Sequence, residues 1–308
     1  MNIKRVAVVT PVHNRKAITL QCLKSLFRAD LTGLDLVTIV VDDGSTDGTA
    51  EAIDEHFPSV KVVRGDGDLW FSEGTNVGIR EALRHDPDYL LLMNDDQVFD
   101  DQFLRSLIDT AERHPRSVVG SLLLLWDQPH KLFQTSPVWK TWEGGWHHWR
   151  DQTVWTVPDR PWRVDLIVGN CVLVPKSAFD EAGLLDSKRY PNYADAEFTP
   201  RLRRLGWQLL IDPRSRVFCQ PNTTPKRIRS MGFGEIYREL IADRGRPHNL
   251  RRRLSANLDT APSKLQGLAG FGTFLFRSLL GKSGEQERSV REPERPLAET
   301  LSCSIVNE

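Results

Sequence analysis

The residues of this chain best suited to chemistry are two groups of adjacent acids, each at the end of an apolar run. Residues 89–93 (Tyr-Leu-Leu-Leu-Met) stop abruptly on Asn94, Asp95 and Asp96, and residues 36–41 stop on Asp42 and Asp43. Neighbouring carboxylates repel each other unless a positive charge lies between or beside them. At Asp95 and Asp96 a divalent cation carrying a phosphorylated ligand would supply that charge. Asp42 and Asp43 can accept hydrogen bonds from a ribose or a base, or share in holding a metal that meets a diphosphate. Asn-Asp-Asp is also a good polar strand-to-helix turn and cap, and these residues alone leave both readings open.

Either role requires a scaffold that brings strand ends together. A run of five apolar residues suits a strand covered on both faces, as in a parallel α/β sheet, where ligands bind beyond the carboxyl ends of the strands. The chain before it has the matching alternation. Residues 6–10 read as a strand, 11–15 as a loop, and 17–27 as a helix with Ile18, Leu23, Leu26 and Phe27 on one face. A strand over 36–41 leads to a helix over 49–56 that Asp47 or Ser45 can cap. A third strand over 60–63 is followed by a glycine-punctuated loop, 65–74, and a helix over 75–84. This repetition predicts a doubly wound, mostly parallel sheet with helices on both faces. The first strand runs into Thr-Pro-Val-His-Asn and not G-x-G-x-x-G, and no G-x-x-x-x-G-K-[ST] occurs, so neither a dinucleotide fingerprint nor a P-loop is supported.

Composition narrows the class further. The 308 residues are 40% hydrophobic, enough for a substantial core, and 41 basic residues balance 41 acidic ones, so no global field argues for nucleic acid. Cys22, Cys171, Cys219 and Cys303 are scattered without C-x-x-C spacing, which argues against a zinc knuckle or disulfide framework and fits a reducing compartment. No signal-type segment opens the sequence and no run of about 18 apolar residues occurs, so a cytoplasmic location is expected.

Four segments together resemble the inverting family-2 glycosyltransferases of GT-A fold. They are V-V-T-P-V-H-N-R (8–15), V-V-D-D-G-S-T-D-G-T (40–49), the N-x-G of residues 76–78, and N-D-D (94–96). The resemblance runs from about residue 4 to about residue 220, and D-D-G-S-T-D is its most specific part. It implies a nucleoside-diphosphate-sugar donor held by Thr10, Pro11, His13, Asp42, Asp43, Asn76, Asn94 and Asp95. It also implies that Asp96 is the last acid of a D-x-D motif for Mg²⁺ or Mn²⁺. The first acid of that motif is Asn94 here, one charge fewer, which predicts weaker metal binding.

Residues 117–125 give another apolar strand. Residues 126–163 then hold seven of the nine tryptophans; Trp139, Trp142, Trp146 and Trp149 offer stacking faces for sugars or a small core closing a β-hairpin, and packing is the favoured role for most of them. His147 and His148 have no third ligand at metal-like spacing. Residues 164–174 are β-prone but interrupted by Gly169-Asn170, which predicts a bend where backbone approaches a ligand closely. From Asp195 through Arg201 to Gly206-Trp207 the spacing matches the family's acidic motif and basic helix. By that resemblance Asp195 is the catalytic base, with Ala194 in place of a preceding acid, and Trp70, Gly169, Asn170, Glu197 and Arg201 face the acceptor, a glycan or lipid-linked hydroxyl. Pro200 suits a helix that starts near residue 196 or 197, since only the first turn tolerates a missing N–H. Residues 208–211 and 216–219 read as a closing strand pair. Cys219 or Gln220 stands where many relatives have a metal-side histidine, and a soft thiolate is a poor ligand for Mg²⁺ or Mn²⁺.

The expected organisation is a GT-A domain over 1–222, with a nucleotide-binding half (1–115) and an acceptor half (116–222), a basic and amphipathic helical extension over 223–281, and a disordered tail over 282–308. Residues 226–253 carry nine Lys/Arg against three acids, which suits phosphate-bearing partners or solvent. Residues 265–280 are too short to span a bilayer but can lie on one, at the inner face of the membrane, or dock on the catalytic domain or a second copy of the chain. The alternative from another class is a catalytically weak sugar-nucleotide or glycan-binding module.

Overall fold

The computed structural model describes residues 3–149, 152–220, 232–242 and 249–280. The expected tail, and Lys226, Arg227, Arg229, Arg244 and Arg246 of the basic segment, lie outside the described residues. Among the described residues the chain builds a nine-stranded sheet and a separate two-stranded hairpin. Strand β1 (Lys4–Val12) pairs in parallel with β2 (Leu34–Asp42) and β4 (Tyr89–Leu92), and β2 pairs in parallel with β3 (Lys61–Arg64). Beyond β4 the sheet becomes mixed. Strand β10 (Val172–Pro175) lies antiparallel between β4 and β6 (Ser117–Leu125), and β11 (Gln208–Cys219) runs parallel to β6. Two short strands, β5 (Gln97–Phe99) and β9 (Trp162–Arg163), line the outer edge of β11.

The apolar runs are continuous because both faces are covered. Val6, Val8 and Leu91 join a core with α1 (Lys16–Arg28) and α4 (Phe103–Arg113) on one side. Ala7, Val9, Leu90 and Leu92 join a second core with α3 (Trp70–Leu83), α5 (Lys176–Ala182) and α6 (Asp195–Arg204) on the other. Helix α2 (Thr49–His56) has the predicted bounds.

Three local expectations change. Helix α3 begins at Trp70 and absorbs part of the predicted loop, because a carboxylate from β2 receives its leading N–H groups, as described below. The predicted strand pair after residue 208 is a single strand, β11, whose two halves both pair with β6 across a register shift between Asp212 and Arg216. Pro200 sits in the second turn of α6, not the first, because α6 already starts at Asp195 behind a turn in which Ala194 accepts the N–H groups of Glu197 and Phe198.

The tryptophan-rich excursion forms the hairpin β7 (Val138–Lys140) and β8 (Gly145–His147). Trp139 meets Trp146 edge-on at 5.6 Å, and Trp149 stacks on Trp162 at 5.9 Å, so three of the four tryptophans pack as expected. Trp142 is 82% exposed. The hairpin packs against α8 (Leu250–Thr260) and α9 (Lys264–Leu280): Trp146 Nε1 donates to Thr260 Oγ1 at 2.9 Å, and Gly270 leaves room for the Trp139 ring. One face of the apolar extension therefore docks on the tryptophan hairpin. No helix among the described residues is long and apolar enough to cross a membrane.

Candidate active site

The carboxyl ends of β1, β2 and β4 deliver Thr10, Asp42–Asp43 and Asn94–Asp96 to one edge of the sheet. Asp42 and Asp43 are buried there, with different partners. Asp42 Oδ1 accepts the Ser45 N–H at 2.9 Å. Asp43 Oδ1 accepts from Gly67 (2.9 Å) and its Oδ2 from Trp70 (3.0 Å), while Leu69 donates to both oxygens. The carboxylate thus caps α3 from a neighbouring strand, satisfying N–H groups that a helix start leaves orphaned. Gly44 permits this approach: its φ is +66°, and a Cβ there would lie 2.9 Å from the Gly67 backbone. The same clamp holds Trp70 at φ +59° with its indole half exposed at the rim, a strained position of the kind found at ligand sites. The His13 ring is pinned by Nδ1 to the Asp43 carbonyl at 2.5 Å. Thr10 Oγ1 is buried without a hydrogen-bond partner, and Pro11 backs onto α3 at Gly74.

Beyond β4, Arg15 bridges the acid pair. Its Nη1 meets Asp95 Oδ1 at 2.9 Å and its Nη2 meets Asp96 Oδ2 at 3.1 Å, while Thr19 Oγ1 donates to Asp95 Oδ2 at 2.9 Å. The positive charge that paired acids demand is on the protein itself. Burial pushes the Asp95 carboxyl up to about 6, with Arg15 pulling the other way. Asn94 Nδ2 donates to Asn170 Oδ1 at 2.8 Å, which leaves Asn94 Oδ1 buried and unpaired. The Gln97 amide donates to the Asn170 carbonyl.

Asn170 is also the link to the second half of the site. Its neighbour Gly169 donates its N–H to Asp195 Oδ2 at 2.8 Å. A Cβ on Gly169 would come within 2.7 Å of Asp195 Cβ, so the close approach predicted at this glycine is to Asp195. Asp195 opens α6, where the helix N-terminus favours its anion, whereas burial raises its pKa and outweighs the hydrogen bonds from Gly169 and Ala196. The turn before it is tied to α3, since Ser72 Oγ donates to the Tyr190 carbonyl at 2.6 Å and the Ser72 N–H to that of Pro191 at 2.8 Å. Asp43, α3 and Asp195 form one mechanical unit.

Other predicted residues serve this framework. Asn76 grips the backbone of Leu185 with both ends of its amide, at 2.9 and 3.0 Å. Arg201 donates to the carbonyls of Ala182 and Leu184 at 2.6 and 2.9 Å and pairs with Glu197 at 3.1 Å. Glu197 is buried with Oε2 unpaired, and burial raises its pKa against the pull of Arg201 and Arg204. Asn76 and Arg201 therefore hold residues 182–185. Arg15 is the residue that sequence reasoning missed, although it stands just past β1 at the N-cap of α1, four positions before Thr19.

Residues 7–157 match the family model described as Glycosyl transferase family 2. That match covers 151 of the 308 residues, just under half of the chain. Two curated relatives are the N-acetylglucosaminyl-diphospho-decaprenol L-rhamnosyltransferases of Mycobacterium tuberculosis strains CDC 1551 / Oshkosh and ATCC 25618 / H37Rv. Each is 25% identical over 201 residues, which covers 58% of this chain and 64% of the relative. The chain therefore spans less than two thirds of the length of these relatives. Among solved structures, GalNAc-T7 with UDP, GalNAc and Mn²⁺ superposes with a TM-score of 0.59 at 15% identity, over 88% of this chain and 54% of that one. The mannosyltransferase PcManGT from Pyrobaculum calidifontis with GDP-Man and Mn²⁺ gives 0.52 at 15% identity, over 98% and 80%. S. aureus TarS 1-349 gives 0.54 at 14%, over 96% and 78%. At such identities the likeness shows the fold, which is GT-A.

The acid cluster offers its own donors to a divalent ion. Asp95, Asp96 and the orphaned Asn94 Oδ1 are oxygen ligands of the hard type that Mg²⁺ and Mn²⁺ take. Cys219 does not join them: it is buried and burial drives its pKa well above the ordinary thiol value, so it stays a neutral thiol. No group of three or more His, Cys, Asp or Glu side chains that could hold a metal is present among the described residues. These donors fit an ion shared with a phosphorylated ligand, not one caged by protein alone.

Proposed function

We propose that this protein is an inverting glycosyltransferase that moves a sugar from a nucleoside-diphosphate-sugar to a hydroxyl of a lipid-linked glycan, with a deoxyhexose such as rhamnose as the first donor sugar to test. The observation that carries this reading is the hydrogen-bonded path from Asp195 through Gly169–Asn170 to Asn94 and the acid pair. It couples a base to a diphosphate site across a single turn. The rhamnosyl transfer and lipid-linked acceptor named for the curated relatives support the choice of substrate class.

In this mechanism the donor lies along the ends of β1, β2 and β4, with Trp70 at the rim. The acceptor hydroxyl gives its proton to Asp195 while its oxygen bonds to the anomeric carbon. The bond from that carbon to the diphosphate breaks on the opposite face, and the nucleoside diphosphate leaves with the electron pair. The raised pKa of Asp195 strengthens it as a base, and the Gly169 N–H aims it. A divalent ion held through Asp96 would supply positive charge to the departing diphosphate. Replacing Asp195 with Asn should cut transfer by about 10²- to 10⁴-fold while leaving donor-induced thermal stabilisation nearly intact; unchanged turnover would remove Asp195 as the base. Donor hydrolysis without acceptor separates an enzyme from a binding module.

The acceptor side is consistent with contact at a lipid surface. Leu265, Leu268 and Phe276 of α9 are exposed, as is Trp142 beside that helix. An apolar helix face next to an aromatic suits the headgroup boundary. Changing Leu265, Leu268 and Phe276 together to Glu should cut co-sedimentation with anionic vesicles severalfold; equal sedimentation of both proteins would refute the membrane contact.

A further inference from the structure

Arg15 holds the acid pair from the side open to solvent. Its side chain is 36% exposed, whereas those of Asp95 and Asp96 are 5% and 8% exposed, so Arg15 is the most accessible member of the cluster. It makes one contact with each acid. Thr19 takes the second oxygen of Asp95 and fixes that acid to α1, whose first turn begins directly after Arg15. Asn94 adds no charge, and its Nδ2 is committed to Asn170, leaving Oδ1 as a neutral donor. A free cation approaching Asp96 therefore meets a positive charge already seated on one oxygen of each acid. The fork geometry of guanidinium matches carboxylate and phosphate equally well, so a diphosphate is the partner able to draw Arg15 away from Asp96.

We propose that Arg15 is the built-in counter-cation of this site. In the donor-free protein it excludes a divalent ion from Asp96, and it yields that carboxylate when a nucleoside diphosphate offers phosphate oxygens in exchange. The diphosphate half rests on the transferase reading above; the competition between Arg15 and the ion does not. Binding of ion and diphosphate is then cooperative, each raising the affinity of the other by the same factor.

The test is Mn²⁺ binding by the full chain, read as loss of the free-ion electron paramagnetic resonance signal. With Mn²⁺ alone, Arg15→Met should bind the ion at least about tenfold more tightly than wild type, within the usual range of coupling between sites. Arg15→Gln, which keeps a donor for Asp95, should do the same and serves if the first variant folds poorly. Adding Asp96→Asn to either variant should remove the gain, which places the ion at Asp96. Adding UDP, TDP or GDP should tighten Mn²⁺ in wild type and have a smaller effect in the Arg15 variants. The proposal is overturned if neutralising Arg15 leaves Mn²⁺ affinity unchanged, or if the gain survives Asp96→Asn. If the metal-alone results hold but no nucleotide tightens Mn²⁺ in wild type, the nucleoside-diphosphate reading falls and the competition stands.

Discussion

Asp95 and Asp195 lie on opposite sides of the Gly169–Asn170 turn, and burial raises the pKa of both, yet their surroundings differ in kind. Asp95 is one of two adjacent acids and is held by a guanidinium and a hydroxyl. Asp195 takes a backbone N–H at a helix start, and the causes of its shift are burial and backbone hydrogen bonds, with no charged neighbour among them. Two acids forced together need a cation, or one of them must remain protonated. A general base needs the reverse, because a salt bridge would lower its pKa and occupy the oxygen that must receive a proton. Under the proposed mechanism the site keeps charge storage apart from proton transfer and joins them only through neutral groups, the Gly169 N–H and the amides of Asn170 and Asn94. Seen this way, Asn94 in place of an acid keeps negative charge on the Arg15 side.

The strongest way to break the comparison is at Asp195 itself. Asp195→Asn should cost about 10²- to 10⁴-fold in transfer rate, the usual worth of a positioned base. It should also abolish the acidic limb of the pH–rate profile, which in the wild type lies above the ordinary carboxylate range. A smaller but still large effect is expected at the hinge between the two centres. Gly169→Ala puts a Cβ within 2.7 Å of Asp195 Cβ, so the carboxylate must shift. Transfer should fall by about 10²-fold through misplacement, with donor binding changed much less; a variant with full turnover would show that the contact does not position the base.

The smallest effect is on stability, and it sharpens the acid-pair side. An unfolded Asp titrates near its ordinary value, whereas Asp95 in the fold titrates at about 6. Stability from this group is complete at pH below the unfolded value and is lost as pH rises through the folded one. Asp95→Asn should therefore gain on the wild type between about pH 4 and pH 6, by up to about 3 kcal/mol, and run parallel to it above that window. Denaturant melts across pH read this directly. A constant difference throughout the window would mean that Arg15 fully compensates the buried charge.

Much of the scaffold was legible because it rests on local pattern. The strands that carry Asp42–Asp43 and Asn94–Asp96 are apolar on successive residues because both sheet faces are covered, and that shows in a handful of neighbouring side chains. The start of α3 was not legible. Its cap is Asp43, more than twenty residues earlier and on another element, so glycines 65, 67 and 74 read as loop. Asn76 and Arg201, assigned to donor and acceptor by the family resemblance, also hold residues 182–185 in the fold, a contact between distant segments that no local pattern shows.

The alternating strands and helices and the acids at the strand ends are local features of the sequence, and its resemblance to a known family marks Asp195 as the proposed base. What neutralises the acids and what holds Asp195 depend on contacts between distant segments. Arg15 and Asp95 are 80 positions apart, Gly169 and Asp195 are 26 apart, and Asn94 and Asn170 are 76 apart. Such pairings arise when a parallel sheet collects the ends of distant strands at one edge, and no local pattern in the chain encodes which side chains will meet there.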